Sequence, residues 1–134
     1  MKELTIFIPT YRRCKELKRL LDSIYVGNKA YSKDVDIVIS SNAASDKDTI
    51  TMIRKYQKKY NNIYFYINEC NIGIDANHDK IYEYCKTNYA LCIADDDYFK
   101  NNILEEIINQ CHNDFTFGFI NALPTPPPKK HLHA

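Results

Sequence analysis

The stretch LTIFIPTYRRCKELKRLLDSIYV, residues 4–26, decides how the rest of the sequence is to be read. LTIFIP at 4–9 is a β-branched and aromatic run that Pro9 ends, the pattern of a short strand with a sharp exit. From Cys14 to Val26 the period changes. Leu17, Leu20, Leu21 and Ile24 recur at three- and four-residue spacing, which places them on one face of a helix.

The same alternation continues along the chain. VDIVIS at 35–40 is a second apolar strand, followed by SNAASDKDT, rich in turn and N-cap residues. Ile50, Ile53 and Tyr60 mark a basic amphipathic helix, and NIYFYIN at 62–68 alternates Ile63, Phe65 and Ile67 as a third strand. The polar loop NECNIGID leads into a helix whose inward face reads as Ile74, His78, Ile81 and Cys85, with His78 a core histidine. YALCIA at 89–94 reads as a buried fourth strand. Ile103, Leu104, Ile107, Ile108 and Cys111 give a further helix, and FTFGFI at 115–120 a fifth strand. This alternation predicts an α/β fold, a mostly parallel Rossmann-like sheet with helices on both faces. One domain spans 1–123. The proline-rich segment PTPPPKKHLHA, 124–134, breaks the composition and is expected to be an extended, mobile end.

The totals narrow the function classes. A chain of 134 residues, 45% hydrophobic and 26% charged, suits one globular domain. A net charge of +1 favours neither nucleic acid nor an anionic membrane, and RKYQKK at 54–59 reads as a solvated helix face. No run approaches the roughly 18 apolar residues of a transmembrane helix, and MKELTIFIPT lacks the features of a secretory signal. Five cysteines without a CxxC argue against a zinc site and for a reducing, cytosolic compartment, with peripheral placement at the inner membrane face left open.

In open parallel sheets ligands sit beyond the carboxyl ends of the strands, so the strand exits carry the chemistry. Three are distinctive: PTYRR, SSNAASD and DDDYF. Asp95, Asp96 and Asp97 cannot all ionise cheaply in one place unless a cation arrives, and a hard divalent ion, Mg²⁺ or Mn²⁺, is the natural partner. On an extended strand end Asp95 and Asp97 would share a face and Asp96 would point away. The alternative is a solvated acidic turn and an N-cap for the helix near Asn102. In PTYRR, Tyr11 offers a ring to a base or sugar and Arg13 a guanidinium to phosphate; alternatively Thr10 caps the next helix. The loop before the helix at Ile74 could face an anion or simply turn at Gly73. A GxGxxG fingerprint and a P-loop are absent, and no nucleophile–histidine–acid arrangement is defensible.

Together, LTIFIPTYRRCKELKRLLDSI, DIVISSNAASDKDT, NIGIDANHDKIYEYC and YALCIADDDYF resemble, in order and spacing, the N-terminal part of a family 2 glycosyltransferase with the GT-A fold, over residues 3 to 120. The resemblance implies a nucleotide-sugar donor, normally a UDP-sugar. Pro9, Thr10 and Tyr11 would line the nucleotide pocket, with Arg13, Ser41, Asn77, Asp95 and Asp96 completing the donor contacts. Asp97 and Asp95 match the DxD metal positions. It further implies transfer to an acceptor hydroxyl, on a glycan or lipid-linked acceptor, with inversion and a carboxylate base. Two features depart from the pattern. Ser41 stands where the family has an aspartate contacting the base. The catalytic base and acceptor-binding region, which lie far beyond the DxD, are not visible, so the chain reads as a truncated donor-binding half. PPPKK is the kind of tract that slips in replication, so a frameshifted end after Leu123 is one expectation; a linker is the other. A catalytically inactive nucleotide-sugar-binding or interaction module is the alternative function. The strand at 115–120 would leave an open edge through which a homo-oligomer could form.

Overall fold

β1 (Leu4–Thr10) is buried at every one of its residues, as a strand sandwiched between other layers must be. The computed structural model describes residues 2–113 and Gly118. After β1 come α1 (Cys14–Tyr25), β2 (Asp36–Ser41), α2 (Lys47–Lys59), β3 (Ile63–Ile67), α3 (Ile74–Tyr84), β4 (Tyr89–Cys92) and α4 (Leu104–Gln110). The four strands form one parallel sheet in the order β3-β2-β1-β4.

That order explains which face each helix covers. From β1 to β3 the chain steps one way across the sheet, then returns past β1 to lay down β4. A right-handed crossover taken in the opposite direction must use the opposite face. Accordingly α1, α2 and α4 share a core with Leu4, Ile6, Ile8, Ile37 and Ile39, including Leu17, Leu20, Leu21, Ile24, Ile53 and Leu104. On the other face, Asn77 of α3 bonds to Ser40 and Tyr84 stacks on Tyr66, ring centroids 3.7 Å apart. The helical period read at 14–26 is thus realised, since all four of its apolar residues are fully buried. Each such Leu or Ile contributes about 2 kcal/mol through area removed from water.

Two expectations are corrected. β4 ends at Cys92 and is not a buried strand: Tyr89 and Leu91 are half-buried against the main core, while Ala90 and Cys92 are exposed. Among the described residues β1 is its sole strand neighbour, and α3 packs over β2 and β1 while touching β4 through His78. The inward face of α3 is also rotated from the expected one. Its buried residue is Asn77; Ile74 is 76% exposed, His78 is exposed, and Ile81 and Cys85 are half-buried. A hydrogen-bonded amide, not an apolar stripe, sets the helix's rotation. His78 is therefore no core histidine; its Nδ1 lies 3.8 Å from the exposed Cys92 Sγ. Burial, with the Cys92 thiol beside it, pushes the Cys85 thiol up to about 11. Apart from Gly118, the fifth strand expected at 115–120 lies outside the described residues, as does the segment from Pro124. Among the described residues no helix is long and apolar enough to cross a membrane.

The amino-terminal end of the sheet is closed by one amide. Asn62, 2% exposed, donates through Nδ2 to the carbonyls of Ser32 and Val35 at 2.7 and 2.9 Å. Its Oδ1 accepts from the Tyr25 hydroxyl at 2.8 Å, and the Tyr25 ring stacks on Tyr60. Asn62→Ala strands these groups in the interior and is expected to cost about 3 kcal/mol, read as a lower urea midpoint with an unchanged slope.

Candidate functional site

The strand order reverses between β1 and β4, the point at which open parallel sheets form a crevice beyond their carboxyl ends. Thr10, the last residue of β1, donates its Oγ1 hydrogen to Asp95 Oδ2 at 2.9 Å, and both residues are buried. This bond ties the two exits together across the reversal. Thr10 is therefore no helix cap; α1 starts after Arg13, whose side chain makes no capping bond.

The acidic segment is a turn and not a strand end. Asp97 N–H donates to the Ala94 carbonyl at 3.1 Å, so Asp95 and Asp96 sit within a tight bend and the expected alternation of faces does not apply. Asp95 turns inward, 8% exposed, and Asp96 and Asp97 are exposed. Burial raises the Asp95 pKa, while the Thr10 hydroxyl and the Arg13 guanidinium act the other way. Arg13 spans the turn, with Nε 3.7 Å from Asp95 Oδ1 and Nη1 3.1 Å from Asp96 Oδ2. Arg19 adds a bond from Nη2 to the Asp96 carbonyl at 2.7 Å and lies over the Tyr98 ring at 4.7 Å. The acidic turn is thus pinned from below by a hydroxyl and from the side by two guanidiniums.

Arg13 reaches the turn because of its neighbour. Arg12 has φ +52°, a left-handed conformation costly for a residue with a long side chain. Its N–H donates to Asp46 Oδ2 at 3.0 Å, and its guanidinium lies over the Tyr11 ring at 5.2 Å. Asp46 is also the N-cap of α2, its Oδ1 accepting from Thr49 N–H at 3.4 Å.

The expected site residues divide into two groups. Thr10, Arg13, Asp95 and Asp96 meet at the β1–β4 exit; Pro9 lies buried within β1 just before it, and Tyr11 and Asp97 are exposed at the rim. Ser41 and Asn77 lie behind the rim. Ser41 is fully buried, and its Oγ has no hydrogen-bond partner among the described residues. Asn77 is 3% exposed; its Oδ1 accepts from Ser40 Oγ at 2.7 Å and Asn68 Nδ2 at 3.1 Å, and its Nδ2 donates to the Ser40 carbonyl at 3.0 Å. Gly73 caps the N-terminus of α3 at φ +90°, a backbone state that favours glycine.

The residue that pattern reading missed is Asn42. It looks like one more turn-former in SNAAS, yet it is 3% exposed and joins three strand exits. Its N–H donates to the Thr10 carbonyl at 2.9 Å. Its Nδ2 donates to Asn71 Oδ1 at 2.8 Å and the Gly73 carbonyl at 3.2 Å, and its Oδ1 accepts from Ile72 N–H at 2.9 Å and Asn68 Nδ2 at 3.3 Å. The available signal was an Asn placed immediately after a strand and followed, 29 residues on, by an Asn-rich loop. No periodicity links them.

The sequence matches the model of glycosyl transferase family 2 over residues 5–123. An uncharacterized glycosyltransferase of Mycoplasma genitalium, MG025, is 29% identical over 115 residues, 85% of this chain and 38% of the relative. Among solved structures, Staphylococcus aureus TarS residues 1–349 in complex with UDP-GlcNAc superposes with a TM-score of 0.71 at 20% identity, covering 83% of this chain and 31% of that one. A mannosyltransferase of Pyrobaculum calidifontis in complex with GDP-Man and Mn²⁺ gives 0.66 at 14% identity, covering 75% and 29%. The fold is of the GT-A type, and the chain spans well under half the length of these proteins.

The Thr10–Asp95 bond can be isolated in a double-mutant cycle. Thr10→Val should destabilise the wild type by about 2 kcal/mol and an Asp95→Asn background by less, giving a coupling of about 1 kcal/mol in urea unfolding.

Proposed function

This chain belongs to glycosyl transferase family 2, and on that premise we propose that the β1–β4 exit binds a UDP-sugar together with a divalent cation, for transfer of the sugar to an acceptor hydroxyl with inversion. The observation that carries the proposal is the buried Thr10–Asp95 bond at the point where the strand order reverses, with the acidic turn held directly above it. The UDP-GlcNAc complex of a protein with the same fold supports the donor class.

The residues suit a hard cation. Among the described residues no cluster of three His, Cys, Asp or Glu is assembled to enclose a metal. Mg²⁺ and Mn²⁺ are commonly held by one or two carboxylates, with substrate phosphates and water completing the shell. Asp97, exposed on the turn, and Asp95, anchored beneath it, would supply those oxygens. When bound, the cation supplies Lewis-acid stabilisation of charge on the departing diphosphate. Arg13, half-exposed and already beside the turn, would place its guanidinium toward phosphate, and Tyr11 its ring against the nucleoside. Thr10 would keep Asp95 in a single orientation while charge builds above it, so that little reorganisation is needed.

Calorimetry with UDP, GDP and CDP, with and without Mn²⁺, tests the assignment on the wild type and Asp97→Ala. UDP should bind tightest, with Mn²⁺ strengthening binding at least tenfold in the wild type and far less in Asp97→Ala. Binding indifferent to both Mn²⁺ and Asp97 would sink the metal assignment. Donor binding with neither transfer nor donor hydrolysis would identify a binding module in place of a transferase.

A further inference from the structure

We infer that Asn42 is a positioning residue for nucleobase discrimination, fixing the 68–73 loop that borders the nucleoside end of the site. The inference rests on the donor-binding proposal above. Its ground is that the Asn42 amide is saturated: both Nδ2 hydrogens and both Oδ1 lone pairs are used, and every partner lies in 68–73. The main-chain N–H of Asn42 meanwhile holds β1's last carbonyl, at Thr10. One buried residue thus joins the loop, through its side chain, to the strand end on the diphosphate side of the site, through its backbone.

The loop needs such an anchor. Residues 69–73 are exposed, and Asn68, at the exit of β3, is held by its N–H to the Ser41 carbonyl at 2.9 Å. Within the loop itself Asn71 Oδ1 also accepts from Gly73 N–H at 2.9 Å, so the Asn42–Asn71 contact fixes both the side chain and the turn into α3. With the diphosphate at the β1–β4 exit, a nucleoside extending across the strand ends toward β2 meets this loop. Ser41 is enclosed, whereas Glu69 and Asn71 of the loop are exposed and offer polar groups to a base edge there. Discrimination between bases depends on such groups being held fixed, because a mobile donor or acceptor adapts to the wrong base while a fixed one is left unpaired.

The experiment uses the full chain, with Mn²⁺ present, and measures UDP, CDP and GDP affinities for wild type, Asn42→Ala, Asn71→Ala and Asn62→Ala. Asn62 is the control, an equally buried amide at the opposite end of the sheet. Asn42→Ala should lower UDP affinity about tenfold and bring the UDP-to-CDP affinity ratio close to one. Asn71→Ala, an exposed position whose loss removes fewer of the bonds, should move the ratio in the same direction by less. It keeps the test decisive if Asn42→Ala does not fold. Asn62→Ala should lower stability and leave the ratio at the wild-type value. An unchanged ratio in the folded Asn42 and Asn71 variants, with wild type binding UDP, overturns the inference alone. If the wild type binds no nucleotide, the donor-binding proposal fails and this inference falls with it.

Discussion

Right-handed crossovers impose the constraint on which the site depends. Because β4 returns past β1 to the far side of the sheet, α3 is forced onto the face opposite α1 and α2, and the loops at the carboxyl ends of β1 and β4 leave in different directions. The gap between them is a product of topology and exists before any side chain is chosen. Thr10 and Asp95 close its floor with one hydrogen bond. The residues around it decide what the gap holds.

Two kinds of polar order meet at this end of the sheet. On the β1–β4 side the groups are charged: a carboxylate pressed into the interior, a second at the surface, and a guanidinium bridging them. On the β2–β3 side they are neutral amides, Asn42, Asn68, Asn71 and Asn77, which satisfy one another and the nearby backbone. The division has a physical sense. Charges tolerate partial exposure, where solvent softens their cost. Amides that only hold geometry are better buried, where an unmade bond is expensive and the arrangement is accordingly unique.

Much of the architecture was legible because it rests on period alone. Leu17, Leu20, Leu21 and Ile24 announce α1 and are all fully buried, and the succession of strand and helix is enough to require a parallel sheet. Legibility failed where polar groups govern placement. The rotation of α3 follows Asn77's bonds to β2, so a count of apolar residues misjudged Ile74 and His78. β4 has an apolar composition but, among the described residues, one strand neighbour, and composition does not report how many neighbours a strand has. At the site, the aspartates were conspicuous as charge, yet the bend at Ala94–Asp97 and the hydroxyl beneath it are contacts between segments 85 residues apart. Asn42 was hidden for the same reason: its importance lies wholly in its partners.

Asp46 gives the left-handed turn at Arg12 a consequence for the site as a whole. One of its carboxylate oxygens secures the Arg12 backbone while the other secures the first turn of α2. The strain at Arg12 is therefore restrained by a helix end that belongs to a different layer of the chain. That single carboxylate thus serves both the turn that delivers Arg13 to Asp95 and Asp96 and the start of α2. The counter-charge over the acidic turn is in this sense wired, through one carboxylate, to the start of a helix that carries none of the residues of that turn.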